Sequence, residues 1–525
     1  MTKRKLAGAL TGALTGACCG LLAAAVALGV AELVAAITGP QGSPVVAVGG
    51  SAIDLTPIPV KDFAIAHFGS QDKTVLVTGI LVLLAVFAAV IGIAARRWLA
   101  AGLTGLLVFG ALGVSAVLTR PGARVADVTP TLVGVAVSMI TLIILVRTSR
   151  TRKVTPGQAA QPAAGTREPL AAGRRKFLAA SAGAAVVAAA GGGVGDLLLR
   201  RFSVTAARAQ VRLPAPARLA RPTPAGTELS TPGLSSFYTP NSSFYRVDTD
   251  LVLPQVSPSD WTLKIGGLVD REIEVSFADL LRLPLTEADI TLVCVSNEVG
   301  GPYAGNARWL GASLPALLRR AGIQRGAGQV LSTSADGMTI STPVAAIMDG
   351  RNALLAVGMN GQPLPVAHGF PARMVVPGLY GYVSATKWVT RLEVTTYARE
   401  KAYWTRRGYA AQAPIKTESR IDVPKPLAQV KAGRVPVAGV AWAPHRGIAA
   451  VEVSADGGPW QQARLAGADG IDTWRQWVWT WDARPGLHTL QVRATDGTGT
   501  TQPSQRAQPF PNGASGWDST VVTVT

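Results

Sequence analysis

The sequence predicts a multi-domain chain: N-terminal transmembrane helices, then an α+β domain, then a small antiparallel β-sandwich. Three observations predict it. Charged residues make up only 15% of 525 positions, against about 25% in soluble domains. Long uncharged stretches crowd the region before residue 200. Beyond them, short apolar runs broken by Gly and Pro give way, near Pro424, to alternating strands joined by Asp-Gly turns. At roughly 150 residues per domain the length holds several folding units, and the apolar content excludes a disordered polymer.

The net charge of +19 invites a nucleic-acid reading, but its position argues against one. Of 50 basic and 31 acidic residues, 19 and 7 precede residue 202, leaving 31 and 24 after it. Most of the surplus therefore flanks apolar stretches, where basic residues orient membrane helices. No nucleic-acid partner is expected.

Residues 1–150 read as a four-helix membrane region. The stretches Leu6–Ile37, Thr74–Ala95, Trp98–Thr119 and Val128–Val146 are each close to or beyond the ~20 residues that cross a bilayer as helix. With the N-terminus inside, Lys3, Arg4, Lys5, Arg96, Arg97, Arg147, Arg150, Arg152, Lys153, Arg167, Arg174, Arg175 and Lys176 are cytoplasmic. Only Lys61, Lys73, Arg120 and Arg124 are then outside, a clear positive-inside bias. The spans contain no histidine, and His67 lies in an outside loop, so no haem is expected between them. Their role reads as anchoring or docking of a partner.

Residues 151–176 read as a cytoplasmic linker and 177–200 as a fifth transmembrane helix, rich in Ala and Gly. Gly173-Arg174-Arg175-Lys176-Phe177-Leu178 resembles a twin-arginine export signal; the competing reading is a plain positive flank. That route carries folded proteins, which suits a chain loaded with a cofactor before export. Ala207-Arg208-Ala209 offers a cleavage site, with retention of the helix as an anchor equally open. Everything after Arg200 is then extracytoplasmic, on a multi-pass cell-membrane protein. Residues 201–235, rich in Pro, Ala, Arg and Thr, read as a tether. Residues 236–423 read as the α+β domain. Residues 424–525, with strands Val435–Val440, Ala449–Ser454, Trp477–Trp481 and His488–Ala494, read as a sandwich of immunoglobulin type. Its tryptophans read as packing residues.

The chemistry starts at Cys294. Cys18 and Cys19 lie in the first span, so Cys294 is the lone thiol of the outside part. It ends the apolar run Ile290–Val293 and opens a polar loop, Ser296-Asn297-Glu298-Val299-Gly300-Gly301. A strand end opening into a glycine loop commonly presents an active group. Three readings stand: an inert buried thiol, a soft ligand for a redox metal, or a nucleophile needing a histidine base. The second constellation is His368-Gly369-Phe370-Pro371-Ala372-Arg373, followed by Gly378, Gly381, Ser384 and Lys387. A guanidinium fork, a histidine, glycines, a hydroxyl and a cation are consistent with cradling an anionic cofactor, although a His-Arg pair taken alone is more often a surface ion-pair cluster.

These segments resemble the sulfite oxidase family. Thr291-Leu292-Val293-Cys294-Val295-Ser296-Asn297, then Gly305-Asn306-Ala307-Arg308-Trp309-Leu310-Gly311, looks like its molybdenum-ligand segment. His368–Arg373, Val375–Gly378 and Lys387-Trp388 are similar to its pterin-phosphate and cofactor-loop segments, and Thr239–Arg246 to its pterin entry segment. The sandwich, with Arg493–Gly497 and Gly516-Trp517, looks like its dimerisation domain. The resemblance covers Phe237–Thr525. It implies a sulfite-oxidase-fold domain with one molybdenum-molybdopterin per chain, the metal ligated by Cys294. His368 and Arg373 would hold the pterin phosphate, Ser384 and Lys387 would line the cofactor, and Asn241, Tyr245 and Arg246 would be its neighbours. Asn297 and Arg308 would order the loop and the substrate mouth.

The implied reaction is two-electron oxygen-atom transfer on a small oxo-anion or an S- or N-oxide. One departure bears on the substrate: sulfite-oxidising members carry basic residues where this chain has Glu298 and Val299. A carboxylate there disfavours a sulfite dianion. No C-x-x-C-H haem motif is present, so a separate membrane or extracytoplasmic electron carrier is expected, and a homodimer is an open expectation. Two other classes remain: a non-catalytic extracellular receptor or adhesion module, and a Cys-dependent hydrolase using His368.

Overall fold

The computed structural model describes residues 3–39, 42–57, 60, 63, 72–120, 123–150, 169–199 and 203–525. They fall into two compact units, one of residues 1–203 with 249–253, the other of residues 204–248 with 254–525. The expected linker at 151–168, and His67, Lys61, Arg152, Lys153, Arg167 and Arg200, lie outside the described residues.

The first unit is helical: Lys3–Thr38, Pro44–Leu55, Asp72–Arg97, Leu99–Leu118, Thr129–Ser149 and Pro169–Leu199. Among the described residues, five of its helices are long and apolar enough to cross a membrane. The sixth, Pro44–Leu55, was not expected. Ser43 caps its start and a proline opens it, but 12 residues fall short of a bilayer. The last helix begins at Pro169, so residues 169–176 are helix and not linker, with Arg174 and Arg175 exposed on it. Its small residues have a purpose. A Cβ on Gly29 would lie 2.5 Å from the Ala188 carbonyl oxygen, and one on Gly191 would lie 2.7 Å from that of Gly29. Helix Pro169–Leu199 therefore packs backbone to backbone on Lys3–Thr38, the close approach that small residues permit in membranes. The boundary drawn at 236–423 also needs correction. Thr249–Leu253 belongs to the helical unit, where buried Asp250 pairs with Arg120 at 3.4 Å.

The second unit holds the α+β region and the sandwich. One antiparallel sheet orders Leu285–Val293, Ala304–Ser313, Leu354–Met359 and Gln362–Pro363, with Arg373–Val375 also paired to Leu354–Met359. A second, mixed sheet orders Ile273–Ser276, Thr262–Gly267, Val389–Thr395, Gln329–Ser334 and Thr339–Pro343. The C-terminal part is two facing sheets. One contains Glu418–Val423, Gly433–Trp442 and Arg475–Ala483; the other contains Asp518–Val524, Gly486–Asp496 and Ile448–Ala455. Val437, Ala441, Val451, Val453, Trp477, Trp481, Leu490, Val492 and Val522 fill the space between them.

The segment before the α+β region is no tether. Ala217 N donates to the Leu285 carbonyl at 2.8 Å, and Arg208 donates to the carbonyls of Leu364 and Pro363 at 2.7 and 2.6 Å. Gln476 accepts from Leu229 N and donates to the Ser235 carbonyl. Proline-rich chain lacks internal hydrogen bonds, and that leaves its carbonyls and remaining N–H groups free to bond a neighbouring surface.

Candidate functional site

Strand Leu285–Val293 pairs with Ala304–Ser313 through Val293 opposite Ala304, and the chain between them forms the Cys294 loop. Cys294 N donates to the Tyr303 carbonyl at 2.9 Å. Tyr303 N donates to Asn297 Oδ1 at 2.7 Å, and Asn297 N to the Cys294 carbonyl at 3.0 Å. These three bonds close the loop, with Asn297 in two of them. Cys294 is 9% exposed. Burial pushes its thiol up, while the N–H of Ser296, 3.4 Å from Sγ, and the charge of Lys387 push the other way. A backbone N–H aimed at sulfur favours a thiolate.

The entry segment meets the His368 segment beside it. Ser243 N and Phe244 N both donate to the Pro240 carbonyl, making a turn. His368 Nε2 lies 3.2 Å from the Asn241 carbonyl oxygen, and the Phe244 ring meets the imidazole edge-on at 5.5 Å. Burial, then the charge of Arg373, pushes His368 down to about 4, so it is neutral at pH 7. Asn241 itself turns away, its carboxamide bonded to Met359 and Asn360.

Arg373 opens strand Arg373–Val375 at 6% exposure. Nη1 donates to the His368 carbonyl at 3.1 Å and Nη2 to the Ala385 carbonyl at 3.3 Å, with the Trp309 ring 5.1 Å away. Among the described residues it has no carboxylate partner. Burial pushes its guanidinium down to about 10, still charged at neutral pH. Lys387 Nζ and Arg246 Nε share Asp248 Oδ2, at 3.1 and 2.9 Å. Tyr245 joins the groups: burial holds its phenol far above its ordinary range, the charge at Cys294 adds to that, and Arg373 opposes it. Cys294, Tyr245, Arg246, His368, Arg373 and Lys387 thus form one electrostatically connected site.

Besides Asn241, whose carboxamide turns away, two expected residues do not join it. Ser384 is fully buried and its hydroxyl is spent on the carbonyls of Leu379 and Tyr380, at 2.9 and 3.0 Å. Arg308 pairs across the sheet with Asp289, five residues from Cys294, or about 16 Å at 3.3 Å per residue. There it makes a fork to Asp289 at 2.9 and 2.7 Å and a bond to Tyr238 Oη at 2.7 Å. It is a brace of the strand pair. Sequence reasoning missed Asp248, Tyr380 and Glu418. Asp248 is the anion that holds two cations in register, two residues beyond Arg246. Glu418 reaches the Cys294 loop from the sandwich, and its signal was a charged alternation, Glu418-Ser419-Arg420-Ile421-Asp422, inside a buried strand.

Comparisons with known proteins bear on the same region. Residues 250–404 match the family model described as oxidoreductase molybdopterin binding domain. Mitochondrial sulfite oxidase of Rattus norvegicus is 32% identical over 287 residues, covering 46% of this chain and 52% of that protein. This chain thus spans about half the length of the curated sulfite oxidases it matches. The uncharacterized oxidoreductase YuiH of Bacillus subtilis is 34% identical over 149 residues, 28% of this chain and 72% of its own. The crystal structure of the sulfane dehydrogenase SoxCD from Paracoccus pantotrophus is 26% identical, covers 57% of this chain and 88% of its own, and has a TM-score of 0.49. With a family model over its Cys294 and His368 segments, and YuiH 34% identical over 72% of its own length, the chain belongs to the sulfite oxidase family of molybdopterin-dependent oxidoreductases.

Proposed function

We propose that this chain is a membrane-anchored, extracytoplasmic molybdenum-cofactor oxidoreductase that moves one oxygen atom and two electrons on a small sulfur or related oxo substrate. One observation carries the reading: Arg373, a buried guanidinium with no carboxylate partner among the described residues, shares a site with the buried thiol of Cys294. A buried charge left unpaired is costly, so Arg373 calls for an anion, and a phosphate fits its fork. Among the described residues no group of three His, Cys, Asp or Glu stands together. A metal at Cys294 therefore needs donors that the protein does not supply, which is what a sulfur-bearing, phosphorylated cofactor brings. The residues fit the group. When bound, molybdenum-molybdopterin supplies a centre that exchanges two electrons and an oxygen atom.

The chain's own residues do the rest. Cys294 offers the thiolate, steadied by the Ser296 N–H. His368, neutral at pH 7, and charged Arg373 hold the phosphate. Lys387 and Arg246, tied to Asp248, keep a cationic rim. Tyr245 keeps its proton throughout the physiological range and is a donor for an oxygen of the substrate. Asn297 holds the loop. Glu298 is exposed, and its charge favours a neutral S- or N-oxide over a sulfite dianion. Electrons pass to or from a separate carrier. The positive-inside distribution supports a cytoplasmic N-terminus, and the facing sheets of the C-terminal part support an immunoglobulin-like dimerisation module. The receptor reading loses its ground, because a receptor has no use for a molybdopterin site.

The test is metal analysis of the purified chain. About one molybdenum per chain is expected, with Cys294→Ser abolishing turnover, because an alkoxide is a harder ligand than the soft thiolate. Full activity in that variant overturns the assignment.

A further inference from the structure

Glu418 is 2% exposed at the start of strand Glu418–Val423. Its Oε2 accepts from Asn297 Nδ2 at 3.4 Å, and its Oε1 has no partner among the described residues. Register sets it opposite Trp442, which like Glu418 is not among the core residues between the two sandwich sheets. Arg420, two residues on, reaches the same loop, its Nη1 donating to the Gly301 carbonyl at 2.9 Å. The sandwich therefore grips the Cys294 loop at two points. One of them leads from Glu418 through Asn297 and Tyr303 to the Cys294 backbone.

We propose that Glu418 is a positioning residue: through Asn297 it fixes the loop that presents Cys294, so that the C-terminal sandwich completes the site. This deepens the cofactor reading and rests on it for what Cys294 is presented to. The physical reason lies in the amide. Asn297 has a donor end on Glu418 and an acceptor end on Tyr303 N. Exchanging the ends would set its NH2 against the Tyr303 N–H and leave both groups unpaired. The Tyr303 N–H, which can only donate, sets that orientation, and Glu418 Oε2 holds the far end of the amide, so the two together fix one loop. Burial pushes Glu418 up to about 8, Asp518 pushing the same way while the Asn297 bond and Lys416 oppose it; Tyr380 also faces it. Near neutrality it is mainly an uncharged acid, for which Gln is the isostere.

The experiment uses the full chain in detergent, with Cys18→Ser and Cys19→Ser so that Cys294 is the sole thiol, prepared without molybdenum. Alkylation of Cys294 by iodoacetamide is timed by mass spectrometry, with amide hydrogen exchange over 294–303 read alongside. Glu418→Ala should label about tenfold faster than the parent, the equivalent of ~1.4 kcal/mol, or one such bond lost from the closed loop. Glu418→Gln should restore the parent rate. Asn297→Ala, which cuts the same link from the loop side, should give the same rise and keeps the test decisive if Glu418→Ala does not fold. Equal rates in the parent and the disrupted variants, or a Gln variant as fast as Ala, overturn the proposal. Molybdenum in separately loaded parent protein is measured in parallel. A loop effect without molybdenum overturns the cofactor reading and leaves Glu418 in place; molybdenum without a loop effect does the reverse.

Discussion

Arg373 buries a positive charge, and among the described residues its hydrogen bonds go only to carbonyl oxygens. Hydrogen bonds to charged groups contribute ~1.5–3 kcal/mol, and lysine offers a point charge where arginine offers a fork. Arg373→Lys should therefore fold yet hold cofactor ten- to a hundredfold more weakly, at ~1.4 kcal/mol per decade. Molybdenum content and pterin fluorescence check it, with residual activity following the metal. A full load would make the cluster a structural one. Glu418 gives a pH signature of its own. Its folded value, about 8, lies above the unfolded carboxylate's ~4.3. The folded chain keeps a proton that the unfolded chain has released, so this stabilisation is fully present below ~4.3 and gone above ~8, falling by up to ~1.4 kcal/mol per unit between them. Thermal midpoints from pH 5 to 9 should decline more steeply up to pH 8 in the parent than in Glu418→Gln. Equal slopes would place the proton elsewhere.

Elements explain what the sequence could and could not disclose. Cys294, His368, Arg373 and Lys387 were legible because each sits in a short contiguous motif whose residue types already imply an anion or a soft metal. Arg308 misled because contiguity with Gly305-Asn306 does not tell how far along a strand pair a side chain lies; only the register with Asp289 does. Asp248 and Glu418 were hidden because each is tied to the site by a partner far away in sequence, at 387 and 297. The segment at 204–235 misled for a different reason, since composition reports what a chain cannot bond to within itself and says nothing of what it docks on. Gln476, 1% exposed, accepts from Leu229 N at 2.6 Å and donates to the Ser235 carbonyl at 2.7 Å. Gln476→Leu leaves both backbone groups unpaired, at ~1–3 kcal/mol for each. The expected outcome is a lower thermal midpoint together with faster protease nicking within 204–235. A nicking rate equal to the parent's would return that segment to the status of a tether.

Under the proposed membrane anchoring, the whole molecule turns on which side the second unit occupies and how it gets there. The helix Pro169–Leu199 carries Arg174 and Arg175 near its start and is weakly apolar, as twin-arginine signals are. The same helix packs on Lys3–Thr38 through Gly29 and Gly191, a contact that favours its retention over cleavage after it. Two measurements separate these roles. Intact mass of the purified chain should include everything before residue 200, whereas removal at Ala207-Arg208-Ala209 would leave a chain beginning near 210. Replacing Arg174 and Arg175 together by lysine keeps the charge, and so keeps the positive-inside bias that orients the helix. Only a carrier that reads the paired guanidinium groups is affected. Protease added from outside should then no longer reach residues 204–525, and molybdenum-loaded protein should accumulate within. Unchanged accessibility would mean that orientation rests on charge alone, and that the second unit crosses before it folds and takes up its cofactor outside.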